Sequence, residues 1–169
     1  MSPIVVLVGP PGAGKSSLAR DLAKRLNVTA RDTDHDIEVG QNKSVSDIFV
    51  QDGEEHFRKL EEEAVAAALA EHDGVLALGG GAVLSEATRV RLADHPVLFL
   101  DVGLTAAVAR VGLNKNRPLL LGNVRAQLKV LMDKRRPLYD EVARFTIVTD
   151  SLSRKAVADR AMQLIQENR

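Results

Sequence analysis

The greatest concentration of potential chemistry lies in residues 4–17. Gly9-Pro10-Pro11-Gly12-Ala13-Gly14-Lys15-Ser16 fits the spacing G-x-x-x-x-G-K-[ST]. A bound triphosphate needs many hydrogen-bond donors at close range, and backbone N–H groups supply them where no side chain intervenes. The glycines at 9, 12 and 14 leave the chain bare and free to bend. Gly12, Ala13, Gly14, Lys15, Ser16 and Ser17 are therefore the candidate nucleotide contacts. Lys15 would reach the β- and γ-phosphates, and the Ser16 hydroxyl would ligate Mg²⁺. ATP is the expected nucleotide. Guanine-specific loops carry N-K-x-D, and Asn114-Lys115-Asn116-Arg117 lacks the acid.

A second cluster, Asp32-Thr33-Asp34-His35-Asp36, follows a short strand. Alternation points Asp32 and Asp34 to the same side, so one can hold Mg²⁺ beside Ser16 while the other accepts a proton from a substrate hydroxyl. A calcium loop does not fit, because Ile37 and Lys43 stand where such a loop needs Gly and Glu. Gly79-Gly80-Gly81 contributes no packing and points to close approach of the backbone to another group. Arg58 reads either as a surface cation paired with Glu61 or Glu62 or as a binding group. Arg117 reads as an exposed loop cation or as one that closes over phosphates. Arg136 sits where a helix end favours positive charge. The histidines form no metal-ligand spacing.

These residues need a scaffold that delivers them to one edge. Val5–Val8 with Ile4 reads as a buried strand, and Leu18, Ala19, Leu22, Ala23 and Leu26 recur at helical spacing over 16–26. Further strands are expected at 29–33, 75–78, 97–100 and 145–148. Helices are expected at about 34–40, after Ser44 as N-cap, from Glu54 to Gly74, and at 86–94, 105–112, 123–136 and 153–168. The alternation implies an α/β fold with a mostly parallel sheet of about five strands covered on both faces. The 169 residues fit one domain spanning 1–169, with 45% hydrophobic and 27% charged residues. Basic and acidic residues number 23 each, which argues against a nucleic-acid surface. There is no cysteine and no apolar run of bilayer length, and the start of the chain leaves no room for a signal peptide. A cytoplasmic monomer without membrane or nucleic-acid partners is expected.

Taken together, these segments resemble the shikimate kinase family from about residue 4 to residue 150. Asp32-Thr33-Asp34 with Ile37-Glu38 looks like the family's D-x-D-x-x-I-E segment. Ser44–Phe49 with Gly53-Glu54, Phe57-Arg58 and Glu61 is similar to its substrate-binding insertion. Gly79-Gly80-Gly81 matches its triple-glycine loop, and Arg117-Pro118-Leu119-Leu120 looks like its lid. Arg136-Pro137-Leu138-Tyr139 matches its C-terminal R-x-x-x-Y segment, here with Tyr139 three residues after Arg136. The resemblance implies a P-loop kinase fold like that of nucleoside monophosphate kinases, with a substrate-binding region at about 33–60 and a lid at about 113–122. It implies ATP-dependent phosphorylation of the 3-hydroxyl of shikimate. Asp34 would be the general base, and Arg58 and Arg136 would grip the shikimate carboxylate. Gly79, Gly80 and Gly81 would fix the ring, with Phe49 and Phe57 as walls. Asp32 and Ser16 would hold Mg²⁺, Lys15 and Arg117 would neutralise the moving phosphoryl group, and Arg110 would stack on adenine near Ser151–Arg154. A gluconokinase-like enzyme and a non-catalytic nucleotide-binding module are the alternatives. The first is disfavoured by the paired arginines with the triple glycine, the second by intact Lys15, Ser16, Asp32 and Asp34.

Overall fold

The computed structural model describes residues 2–112 and 123–169. Strands β1 (Val5–Val8), β2 (Ala30–Asp32), β3 (Val75–Ala77), β4 (Val97–Asp101) and β5 (Phe145–Val148) form one sheet in the order β2-β3-β1-β4-β5. Every pairing is parallel. The helices are α1 (Lys15–Leu26), α2 (Thr33–Gln41), α3 (Val45–Asp52), α4 (Glu54–Glu71), α5 (Glu86–Leu92), α6 (Leu104–Gly112), α7 (Val124–Val142) and α8 (Arg154–Glu167), with a 3₁₀ turn at Ala82–Leu84.

β1 takes the centre because it is apolar on both faces. Val5 and Leu7 join the core built on α1, α6 and α8, whereas Val6 and Val8 join the core built on α4, α5 and the end of α7. From β1 the order runs to β3 and β2 on one side and to β4 and β5 on the other. The chain therefore switches direction beside β1, and a crevice opens above the carboxyl end of that strand. The glycine loop leaves β1 at this point. A third, smaller cluster of Ile37, Ile48 and Phe57 ties α2, α3 and α4 together beside the crevice. Among the described residues no helix is long and apolar enough to cross a membrane.

The expected elements are present, with shifted ends. β2 stops at Asp32, whose side chain accepts a hydrogen bond from the Asp34 N–H at 2.9 Å and caps α2, so Thr33 is helical rather than extended. Ser44 caps α3 through the Asp47 N–H at 3.1 Å, as the sequence suggests. The largest difference is α7, which runs through Pro137 to Val142 instead of ending at 136. Pro137 removes one helical hydrogen bond and costs about 3 kcal/mol in a helix interior. Tyr139 lies in the next turn and is 1% exposed. Burying an aromatic side chain contributes roughly 4–6 kcal/mol at about 25 cal/mol per Å², so packing outweighs the proline.

Tyr139 stacks on Phe99 of β4 at a centroid distance of 5.0 Å, and its hydroxyl donates to the Gly80 carbonyl at 2.6 Å. Tyr139→Phe keeps the stacking and leaves that carbonyl without its donor. The substitution should lower stability by about 1–2 kcal/mol, seen as a lower urea midpoint with an unchanged slope.

Candidate active site

Gly12 and Gly14 adopt φ of +80° and +91°, a left-handed conformation that L side chains rarely take. Gly14 caps α1 with no side-chain oxygen, so the first N–H groups of that helix face the loop mouth. That is the arrangement in which a helix start receives an anion. Lys15 folds back over the loop, its Nζ donating to the carbonyls of Gly9 at 2.6 Å and Pro10 at 3.1 Å. Beside it, Ser16 Oγ donates to Asp32 Oδ2 at 2.8 Å. A cavity of about 180 Å³ joins Gly14, Lys15, Ser16 and Asp32 to Asp34, Gly79 and Gly80. Phosphate donors, a pair of hard oxygen ligands and a second carboxylate thus share one space. Among the described residues no group of three His, Cys, Asp or Glu side chains is placed to cage a metal. Mg²⁺ needs no such cage, because it binds through one or two protein oxygens, phosphates and water, and the Ser16–Asp32 pair fits that role.

On the other side of the loop, Arg110 of α6 donates to the Gly12 carbonyl at 2.9 Å. It lines a cavity of about 260 Å³ with Ala13, Ser17, Thr149, Leu152 and Arg154. The expected grouping of Arg110 with the 151–154 loop is present. Arg117 lies outside the described residues.

Beyond the triple glycine lies a buried ionic cluster. Arg58 of α4 donates to Glu61 at 2.8 Å and reaches Glu54 at 3.4 Å. Its guanidinium lies 5.7 Å from the Phe49 ring centre and 5.3 Å from that of Phe57. The two rings are 4.7 Å apart. Glu61 is 3% exposed, and burial pushes its carboxyl above the ordinary range against the opposing pull of Arg58 and Arg135. Arg135 of α7 is 6% exposed. Burial lowers its affinity for the proton, while the adjacent Tyr139 and Glu61 raise it and Arg58 lowers it further. Tyr139 is pushed up to about 12, first by burial. The glycines are bare because these side chains come so close. A Cβ on Gly79 would stand 2.6 Å from Asp34 Oδ1 and 2.9 Å from Glu61 Oε2, and one on Gly81 would overlap the Arg58 guanidinium.

Arg136 is not part of this cluster, which corrects the sequence expectation. It makes a two-bond pair with Asp101, one of them at 2.9 Å, and its side chain is half exposed. Neighbouring helix positions point about 100° apart, and it is Arg135 that faces Arg58 and Glu61. The signal was present: Arg135 stands four residues before Tyr139, as an R-x-x-x-Y pattern requires. Glu61, read from sequence only as a helix partner of Arg58, is the buried counter-ion of the cluster.

Glu61 is the buried carboxylate of the cluster and Glu54 a more exposed partner of Arg58, and among the described residues Arg58 Nε is buried without a hydrogen-bond partner. A planar carboxylate from a ligand would complete it. A pH dependence follows from Glu61. With its folded-state pKa raised, its favourable contribution is complete below the ordinary carboxylate value of 4.5 and is lost as pH rises through the raised value. The stability of the natural chain relative to Glu61→Gln should therefore decline as pH rises above about 4.5, measured by urea unfolding of both.

Comparison with known proteins agrees with this geometry. A family model described as shikimate kinase matches residues 11–166. A shikimate kinase of Saccharopolyspora erythraea is 54% identical over 170 residues, covering 100% of this chain and 97% of the relative. One from Salinispora arenicola is 53% identical, covering 98% and 99% respectively. Among solved structures, shikimate kinase from Acinetobacter baumannii in complex with shikimate superposes with a TM-score of 0.94 at 35% identity, covering 100% of this chain and 95% of that one. Deoxyadenosine kinase from M. mycoides, at 17% identity and a TM-score of 0.63, shares the fold alone.

Proposed function

Since the chain belongs to the shikimate kinase family, we propose that it transfers the γ-phosphoryl group of ATP to the 3-hydroxyl of shikimate, yielding shikimate 3-phosphate and ADP. The observation that carries this is the shared edge at Gly79–Gly81, where the phosphate loop and Asp34 come within contact distance of the Arg58–Glu61 cluster. A phosphoryl donor and a small acid would meet across it.

Lys15 and the open start of α1 hold the β- and γ-phosphates. Ser16 and Asp32 hold Mg²⁺, which supplies positive charge to the phosphates. Arg58 and Arg135 receive the shikimate carboxylate, and Phe49 and Phe57 wall its ring. Asp34 accepts the proton of the 3-hydroxyl as that oxygen bonds to phosphorus and the bond to the ADP oxygen breaks. Arg110 and the 151–154 loop flank the adenine. Arg117 is assigned to the phosphates and the 113–122 segment to a lid on sequence grounds. One domain supplies every group named, which favours a monomer, and the ATP requirement favours the cytoplasm.

The direct test is ADP release from Mg²⁺-ATP with shikimate, quinate, gluconate or no acceptor. Release with shikimate alone, abolished by chelation, is expected. Release with gluconate would overturn the assignment of the arginine pair. ATP binding without turnover on any acceptor would indicate a non-catalytic module. Two substitutions probe the roles. Asp34→Asn should abolish turnover while ATP binding, followed by calorimetry, is kept. Arg58→Ala and Arg135→Ala should each cost about 2–4 kcal/mol of acid recognition, read as a rise in the KM for shikimate far larger than that for ATP.

A further inference from the structure

We infer that the Asp101–Arg136 ion pair is a positioning device for the acid site: it sets the rotation of α7 and so holds Arg135 against Arg58 and Glu61. The inference rests on the assignment of Arg135 to the substrate carboxylate.

Three observations support it. First, Arg136 and Asp101 form a parallel fork, Nη1 to Oδ1 at 2.9 Å and Nη2 to Oδ2 beside it. Asp101 closes the carboxyl end of β4, and its side chain is only 14% exposed. A bidentate pair fixes direction as well as distance. Asp140, one turn on along α7, stands 3.9 Å from Arg136 and cannot tie the helix to the sheet. Second, the fork belongs to a longer register. The Arg136 guanidinium lies 5.7 Å from the Phe99 ring centre, and Tyr139 stacks on the same ring. Residues 136 and 139 of one helix face thus engage residues 99 and 101 of one strand face. Around the helix Arg135 lies about 100° from Arg136 and about 40° from Tyr139, on the side where Tyr139, Arg58 and Glu61 act on its charge. Third, Pro137 follows directly. It supplies no N–H to the Asp133 carbonyl, so the backbone bonding that would keep this turn in register is one bond short. The side-chain fork lies immediately before this break.

A cation already committed to two bonds with Asp101 is also a poor candidate to meet the substrate itself. The two roles give opposite outcomes when Asp101 is changed. If Arg136 acts through Arg135, loss of Asp101 should harm acid binding. If Arg136 binds the acid directly, loss of Asp101 frees it and should leave or improve that binding.

The test is steady-state kinetics on the full chain, with each substrate varied against saturating levels of the other. Arg136→Gln and the near-isosteric Asp101→Asn should each raise the shikimate KM by about tenfold, with the ATP KM and kcat within about twofold. Arg136→Lys, which keeps one bond to Asp101, should stay within about twofold of the natural chain. In an Arg135→Ala background, Arg136→Gln should add less than about twofold, because the residue it acts through is gone. An unchanged shikimate KM in Asp101→Asn would overturn the proposal, as would a loss confined to kcat, which is what general damage to packing would produce. The premise fails separately: Arg135→Ala with a normal shikimate KM would overturn the acid-site assignment and the positioning role together. A normal Arg135 effect with a silent Asp101→Asn would overturn the positioning role alone.

Discussion

Arg135 and Glu61 are buried together, and Arg58, half-buried beside them, pairs with Glu61 and with the more exposed Glu54. Taking an ion out of water costs several kcal/mol even after relaxation, which ion pairing alone does not always repay. The fold accommodates the cluster by surrounding it with groups that are themselves well packed. Phe49 and Phe57 present their ring faces to Arg58, and the Tyr139 hydroxyl lies beside Arg135. Cation–ring contacts of this kind are worth about 0.5–2 kcal/mol, more where water is excluded. They soften the cost without adding a counter-charge, which an acid ligand would bring.

The same cluster explains why donor and acceptor chemistry sit so close together. The carboxyl end of β3 delivers Gly79, with Asp34 and Glu61 on either side of the space a side chain would fill. Gly80 is fastened from behind by the Tyr139 hydroxyl. Gly81 yields its space to Arg58. Three residues without side chains thus let the phosphate cavity and the Arg58–Glu61 cluster approach each other closely. Any larger residue there would push apart the groups whose adjacency makes transfer feasible, since reacting atoms must lie within about 3–3.5 Å for positioning to assist.

How much of this was legible in the sequence depended on range. The glycine loop, Lys15, Ser16 and the Asp32–Asp34 pair are local: strand, turn and helix follow within a few residues, and their chemistry is readable from spacing. The five parallel strands and helices on both faces were legible because apolar runs alternate with helical periodicity. Arg135 was passed over although its spacing of four from Tyr139 fits R-x-x-x-Y, because Arg136 stands beside it and the helical rotation that separates the two is set by distant contacts. The rotation is set by Phe99, Asp101 and Tyr139, two of them on a strand far away in the chain. The extension of α7 past Pro137 has the same origin: local propensity favours a stop, and the burial of Tyr139 against β4 overrides it. Glu61 looked like a surface partner at helical spacing because its burial comes from tertiary packing that spacing along its own helix does not report.

The arginine cluster is therefore a compromise between stability and recognition. Replacing a buried ion cluster by apolar residues of similar volume is often neutral or stabilising by about 1–4 kcal/mol, so the arginines are poorly explained as structural groups. On the proposed assignment, a substrate carboxylate would pair with both. A ligand that binds only the folded chain adds stability by mass action, about 2.7 kcal/mol at a hundred times its dissociation constant. On the proposed assignment, a neutral ring of the same shape would forgo the charge-assisted bonds to the two guanidinium groups, and selectivity for an acid would follow from them. The position of the charge depends in turn on how firmly α4 and α7 are held across Gly79–Gly81, which makes the packing of Tyr139 on Phe99 as much a part of substrate recognition as the guanidinium groups.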